Sequence, residues 1–180
     1  MLTYVGIAAL VLVAGVLVYA ATRPDSFRIE RTILVDAPPE ASYALVQDLH
    51  RWTEWSPWEG VDPGMKRTYA GPASGVGASY GWEGNSKVGS GRMEITEAAP
   101  GAKLVLKLDF FTPMEAHNTA EFTFVREGAG TRVTWAMFGP SPFLSKLIGL
   151  VFNMDRMVGG MFAQGLAKLK VQSEAGQQRR

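Results

Sequence analysis

Along the chain the apolar residues follow an unbroken run, then a series of alternating stretches, then a helical stripe. The unbroken run is Leu2 to Ala21, without one charged residue. As a helix it spans about 30 Å, the thickness of a bilayer's hydrocarbon core. Thr22 to Ser26 follows as a linker, which reaches at most about 18 Å when extended. Alternation begins at Phe27 to Asp36, where Phe27, Ile29, Arg31, Ile33 and Val35 share a face and predict a first strand. Ala37-Pro38-Pro39-Glu40 stops that strand and starts a helix through Leu49, followed by a short helix over Arg51 to Trp58. Val61 to Gly77 is rich in Gly and Pro, with one short strand near Lys66–Tyr69. A strand meander comes next, over Ala78–Asn85, Lys87–Glu97, Lys103–Thr112, Glu115–Arg126 and Thr131–Phe138. Gly84-Asn85, Pro100-Gly101, Thr112-Pro113 and Glu127 to Gly130 supply the turns.

Parity divides these strands into faces. Tyr80, Trp82, Met93 and Ile95 point one way, with Leu104, Leu106, Leu108 and Phe110. Asn118, Ala120, Phe122 and Phe124 join them, then Val133, Trp135 and Met137. Lys103, Lys107, Asp109, Glu121, Thr123, Arg132 and Thr134 point the other way, as in a sheet with one wet face.

The stripe runs from Pro142 to about Val171 and predicts a single long helix, with Ser141 as N-cap and Pro142 in the first helical position. Leu144, Leu147, Ile148, Val151, Met154, Val158, Met161, Phe162 and Leu169 fall on one side. Such a helix measures roughly 45 Å, enough to cross a whole sheet. Asp155 interrupts the stripe, and a lone buried acid is costly. Either a local bend lets it reach solvent, or it is a polar group lining a ligand cavity. Arg31 is similarly ambiguous: an edge-position arginine, or an inward cation able to meet Asp155.

Together these elements predict an α+β helix-grip fold, a curved antiparallel sheet wrapped around a long C-terminal helix. A strongly curved sheet gripping one helix rarely fills its interior, so a hollow between them is expected. The expected division is 1-22 transmembrane anchor, 23-26 linker, 27-172 helix-grip domain and 173-180 polar tail.

Composition narrows the chemistry. Lys+Arg 18 against Asp+Glu 17 leaves no electrostatic footprint for nucleic acid. With no cysteine and only His50 and His117, disulfides, thiol catalysis and multi-histidine metal centres are excluded. No metal or cofactor is expected. Met1-Leu2-Thr3-Tyr4 carries no Lys or Arg and the apolar run exceeds a usual signal-peptide core, which favours a retained anchor despite the small residues of Val18-Tyr19-Ala20. Arg23, Arg28 and Arg31 follow the run, which by the positive-inside tendency makes a single-pass cell-membrane protein with a cytoplasmic domain. Trp52, Trp55 and Trp58 share a helical face, read as core packing that closes the open end of the sheet or as a membrane-dipping wedge. Gly75-Val76-Gly77 echoes a phosphate loop, but a strand follows it and not a helix.

Val35-Asp36-Ala37-Pro38-Pro39-Glu40-Ala41 and Trp52-Thr53-Glu54-Trp55-Ser56-Pro57-Trp58 resemble bacterial polyketide cyclase/dehydrase-like proteins of the START-like (SRPBCC) superfamily. So do Gly81-Trp82-Glu83-Gly84-Asn85, Gly91-Arg92-Met93-Glu94-Ile95 and Gly165-Leu166-Ala167-Lys168-Leu169-Lys170. The resemblance covers roughly Phe27 to Val171. It implies the helix-grip fold and a range of roles: lipid carrier, aromatase/cyclase or co-chaperone.

Catalysis needs a placed base or nucleophile. His117 has outward parity, His50 ends a helix beside Arg51, and Glu94 and Glu97 do not share a face, so no catalytic residue is assigned. The expected site is a pocket walled by Tyr80, Trp82, Met93, Leu106, Phe110, Asn118, Trp135 and Met137. Met154, Val158, Met161 and Phe162 cap it, with Asp155 as a further polar group. Methionine-rich walls adapt to varied apolar shapes, and a few polar groups fix orientation. The expected partners are a hydrophobic small molecule or lipid and, through residues 2-21, the membrane. A polyketide cyclase/dehydrase-like enzyme and a co-chaperone-like interaction module are the alternatives.

Overall fold

The computed structural model describes residues 1–176; the last part of the expected polar tail, 177–180, lies outside the described residues. After helix α1 (Leu2–Ala21) come β1 (Ser26–Val35), α2 (Pro39–Gln47) and two short 3-10 segments, Leu49–Glu54 and Pro57–Gly60. Strands β2 (Lys66–Ala70), β3 (Ser79–Glu83), β4 (Ser90–Ala99), β5 (Lys103–Thr112), β6 (Ala116–Glu127) and β7 (Gly130–Pro140) precede α3 (Phe143–Val151) and α4 (Met154–Ala175). The strands form one antiparallel sheet in the order β1-β7-β6-β5-β4-β3-β2.

Register carries the parity of the sequence into three dimensions. Tyr80 pairs with Met93, Met93 with Leu108, and Leu108 with Asn118. Leu106 pairs with Ala120, Ala120 with Met137, and Met137 with Ile29. Phe122, Trp135 and Arg31 form the next row. Directly paired residues share a face, so each row extends one continuous apolar surface across the curved sheet. The expected helix-grip fold is present: a curved sheet with a long C-terminal helix laid along its inner face.

The helix itself differs from expectation. One continuous helix over Pro142 to Val171 is replaced by α3 and α4, with Phe152 and Asn153 non-helical between them. The Asn153 side chain accepts from the Arg156 N–H at 2.9 Å and starts α4 afresh. Pro142, not Ser141, occupies the N-cap position of α3, and the Ser141 N–H donates to the Asp25 carbonyl at 2.7 Å. As a result Leu144 and Val151, expected to cover the sheet, are exposed. At the other end α4 continues through Ala175, past the expected start of the tail. Ser173 is buried there, hydrogen-bonded to Ser42 at 2.9 Å and to the Leu169 carbonyl at 2.8 Å.

The tryptophans near α2 pack in the core. Trp52 and Trp55 donate their indole N–H groups to the carbonyls of Val46 and Leu45, at 2.9 and 3.3 Å. These carbonyls belong to the last turn of α2, which has no helical partner for them. α1 is long and apolar enough to cross a membrane, with a mean hydropathy of 2.4 over Thr3–Ala21.

Candidate functional site

Two ends of the concave face are built differently. Where the middle of α4 crosses it, aromatic rings fill the space. Trp135 stacks on Phe162 with ring centroids 4.1 Å apart and on Phe122 at 4.9 Å. Trp52, Trp55 and Trp58 meet Trp135 edge-on at 6.2, 5.5 and 5.6 Å. The hollow expected beneath the helix is therefore closed at this end. The 3-10 segments deliver large indoles into it, and Gly165 lets α4 come down onto Pro57 and Trp135. Among the described residues one buried side-chain nitrogen lacks a partner, and it is Trp135 Nε1 inside this cluster.

The opposite end is shallower. Ser26 pairs with Pro140 and Phe110 with Ala116, so the start of β1, the end of β7 and the β5–β6 turn share one end of the sheet. There the inward residues Phe27, Leu108, Phe110 and Asn118 remain half-buried, beside buried Trp82, Met93 and Met137. Val158 and Met161 of α4 are half-buried too, Val158 packed against the core. These half-buried inward residues form an apolar patch, the trough, at that end of the sheet.

The sheet brings Tyr80, Trp82, Met93, Leu106, Phe110, Asn118, Trp135 and Met137 onto this single face. Phe162 lies in its filled end and Val158 at its edge. Met154 and Asp155 do not face it: both are exposed at the start of α4. Asp155 meets Arg31 instead, with Nη1–Oδ1 at 3.0 Å and Nη2–Oδ2 at 2.9 Å. Arg31 thus proves to be both an edge-strand residue and the cation that meets Asp155, and its hydrogen bonds hold the Asp155 carboxyl below the usual aspartate range. Pockets of about 190 and 290 Å³ open elsewhere, beside His50 and Tyr69 and on the outer side of α4 near Lys168.

One polar group escaped the sequence reading. Arg67 pairs in register with Trp82 and so takes the inward parity of β2, a signal present in the alternation of that short strand. It donates from Nε to Glu59 at 2.9 Å, and the Tyr80 hydroxyl lies 3.3 Å from the other oxygen of the same carboxylate. Burial above all, and then the charge of Glu59, push the Tyr80 phenol well above its ordinary range. Tyr80 therefore stays a neutral hydrogen-bond donor. The histidines lie elsewhere: His117 is exposed on the outer face, 2.7 Å from Asp109, and His50 stacks on Tyr69 at 4.0 Å.

Solved structures share this architecture. A protein from Thermobifida fusca matches with a TM-score of 0.60 at 20% identity, over 81% of this chain and 92% of that one. One from Chromobacterium violaceum matches at 0.58 and 16% identity, over 84% and 99%. The di-domain ARO/CYC StfQ from the steffimycin biosynthetic pathway matches at 0.62 and 13% identity, over 83% of this chain and 51% of its own length. At such identities the likeness is one of fold. No curated protein is similar enough in sequence to match. The family described as polyketide cyclase / dehydrase and lipid transport matches residues 26–174. With that match spanning the sheet, α3 and nearly all of α4, the chain belongs to the polyketide cyclase / dehydrase and lipid transport family.

Proposed function

We propose that the chain is a membrane-anchored domain that binds a lipid or other hydrophobic small molecule along its concave face, without transforming it. The observation that carries this is the half-buried inward group of Phe27, Leu108, Phe110 and Asn118, a largely apolar patch at one end of the sheet. Exposed apolar area of this kind, rimmed by a few polar groups, is what a hydrophobic ligand would cover. Asn118, half-buried in the same patch, offers hydrogen bonds that would orient a polar end. A proton-transfer role has less support, because His50 and His117 both lie away from the trough.

α1 serves as the anchor, and the arginines that follow it favour a cytoplasmic domain. A short linker keeps the trough within about 18 Å of the bilayer surface, which raises its encounter rate with lipid-soluble molecules. Native mass spectrometry of the full chain released from nanodiscs tests the binding. A hydrophobic molecule retained by the wild type and lost in Phe110→Asp is expected. A ligand-free chain that also takes up no apolar dye would overturn the proposal.

A further inference from the structure

Helix α3 is inside-out for a helix in water. Its one buried residue is a lysine, Lys146, whereas Phe143, Leu144 and Val151 are 45%, 58% and 79% exposed. Phe152, Met154 and Met157 extend the same exposed apolar strip into the start of α4. Lys146 is occupied by Asp25 of the linker, with Nζ–Oδ1 at 2.5 Å. From Pro140 to Met154 there is no acidic residue to oppose burial of the strip.

Position supplies the occupant. α3 packs against α1, and Ala20, in the last turn of α1, is fully buried while the described residues before it are exposed. A 20-residue helix spans the hydrocarbon core from end to end, so its last turn lies at the boundary with the headgroups. α3 is thereby held at that boundary. The strand register puts the β5–β6 turn at the same end of the sheet, where Phe111 and Met114 are 54% and 42% exposed.

We propose that α3, continued by Phe152 and joined by the Phe111–Met114 turn, lies in the surface of the phospholipid bilayer that α1 crosses. Its apolar side chains enter the acyl boundary to a depth of about 5–10 Å, as in-plane amphipathic helices do. This docking rests on α1 being a membrane anchor. It turns the open end of the trough toward the bilayer, so a lipid passes between membrane and sheet without crossing bulk water.

The chain has no cysteine, so single substitutions accept an environment-sensitive dye at one place each. The full chain is labelled at Leu144→Cys, Val151→Cys, Val11→Cys or Ala129→Cys in nanodiscs of phosphatidylcholine and phosphatidylglycerol. Dyes at Leu144 and Val151 should be quenched by nitroxides carried near the top of the acyl chains and should lose quenching by iodide. A dye at Ala129, in the β6–β7 turn at the far end of the sheet, should behave oppositely. If the α3 dyes answer to iodide while the Val11 dye answers to deep nitroxides, the docking is wrong and the anchor stands. If the Val11 dye answers to iodide, the anchor fails and the docking with it. Shielding of the α3 dyes from both quenchers, with self-quenching between labelled chains, would assign the strip to a second copy and likewise overturn the docking.

Discussion

Arg31 and Asp155 lie 124 residues apart in sequence and meet in a two-point contact, guanidinium against carboxylate. Arg31 Nη2 also donates to the Asp155 backbone carbonyl at 3.0 Å. The edge strand β1 thereby fastens the first turn of α4, which only Phe152 and Asn153 separate from α3. An acid in that turn also faces the positive end of the helix dipole.

The contact should answer to pH in one direction. The carboxyl of Asp155 is held low by Arg31, so its contribution is present above the ordinary aspartate value of about 3.9 and is lost as pH falls through the lower folded value. Protection of the first-turn amides of α4, taken relative to their intrinsic exchange rate at each pH, should fall on acidification in the wild type. In Asp155→Asn it should already be low at neutral pH. Equal exchange in the two proteins at neutral pH would show that the pair does not hold the turn.

Adjacent glycines on α4 should respond unequally to alanine. At Gly159 a Cβ would lie 2.1 Å from Arg31 Nη2, so Gly159→Ala must expel the guanidinium. At Gly160 nothing lies within 4 Å. Gly160→Ala should therefore stabilise by up to about 1 kcal/mol through helix propensity, while Gly159→Ala sets the same gain against displacing the guanidinium from its exposed contact with Asp155 and should stabilise less. Urea denaturation followed by tryptophan fluorescence reads both, and equal gains would contradict the close passage of Arg31 over α4.

The aromatic cluster separates a paired indole from an unpaired one. Trp52→Phe strands the Val46 carbonyl, which should cost about 1–3 kcal/mol beyond the lost packing. Trp135→Phe removes an N–H that has no partner and should cost less. Phe162→Ala deletes a ring 2% exposed against Trp135 and should destabilise by about 3–5 kcal/mol. The same denaturation series orders the three, and a Trp135→Phe loss equal to that of Trp52→Phe would contradict the unpaired assignment.

Lys146 depends on Asp25 because its side chain is only 7% exposed. Asp25→Asn leaves a buried ammonium without its countercharge, and hydrogen exchange across α3 should rise. Lys146→Met replaces the cation with an apolar chain of similar length and should leave α3 protected, as when buried pairs are exchanged for well-packed apolar residues. Protection that survives Asp25→Asn unchanged would mean that α3 is held by apolar contacts with α1 alone.

Alternation made the sheet legible. From Tyr80 to Met137 the inward and outward sets stand where parity puts them, since a slip of one residue would have turned every side chain over. The break after Val151 was harder to see, because apolar residues keep helical spacing straight across Phe152 and Asn153. Its causes are the Asn153 cap, which is local, and Arg31, which reaches the site only through the fold. How full the interior is depends on ring geometry that periodicity does not encode. Trp135 and Phe162 have inward parity whether they line a hollow or, as here, stack and close it. Glu59 and Arg67 come from a 3-10 segment and a five-residue strand, both too short to display a period.

Photolabelling addresses the binding claim most directly. The full chain in nanodiscs is irradiated with a diazirine-bearing fatty acid, and the adducts are mapped by peptide mass spectrometry. Adducts on the trough residues Phe27, Phe110 and Met137, displaced by excess unlabelled lipid, are the predicted result. Adducts confined to α1 and α3, with none on the concave face, would mean that the chain touches lipid only as a membrane neighbour and carries none.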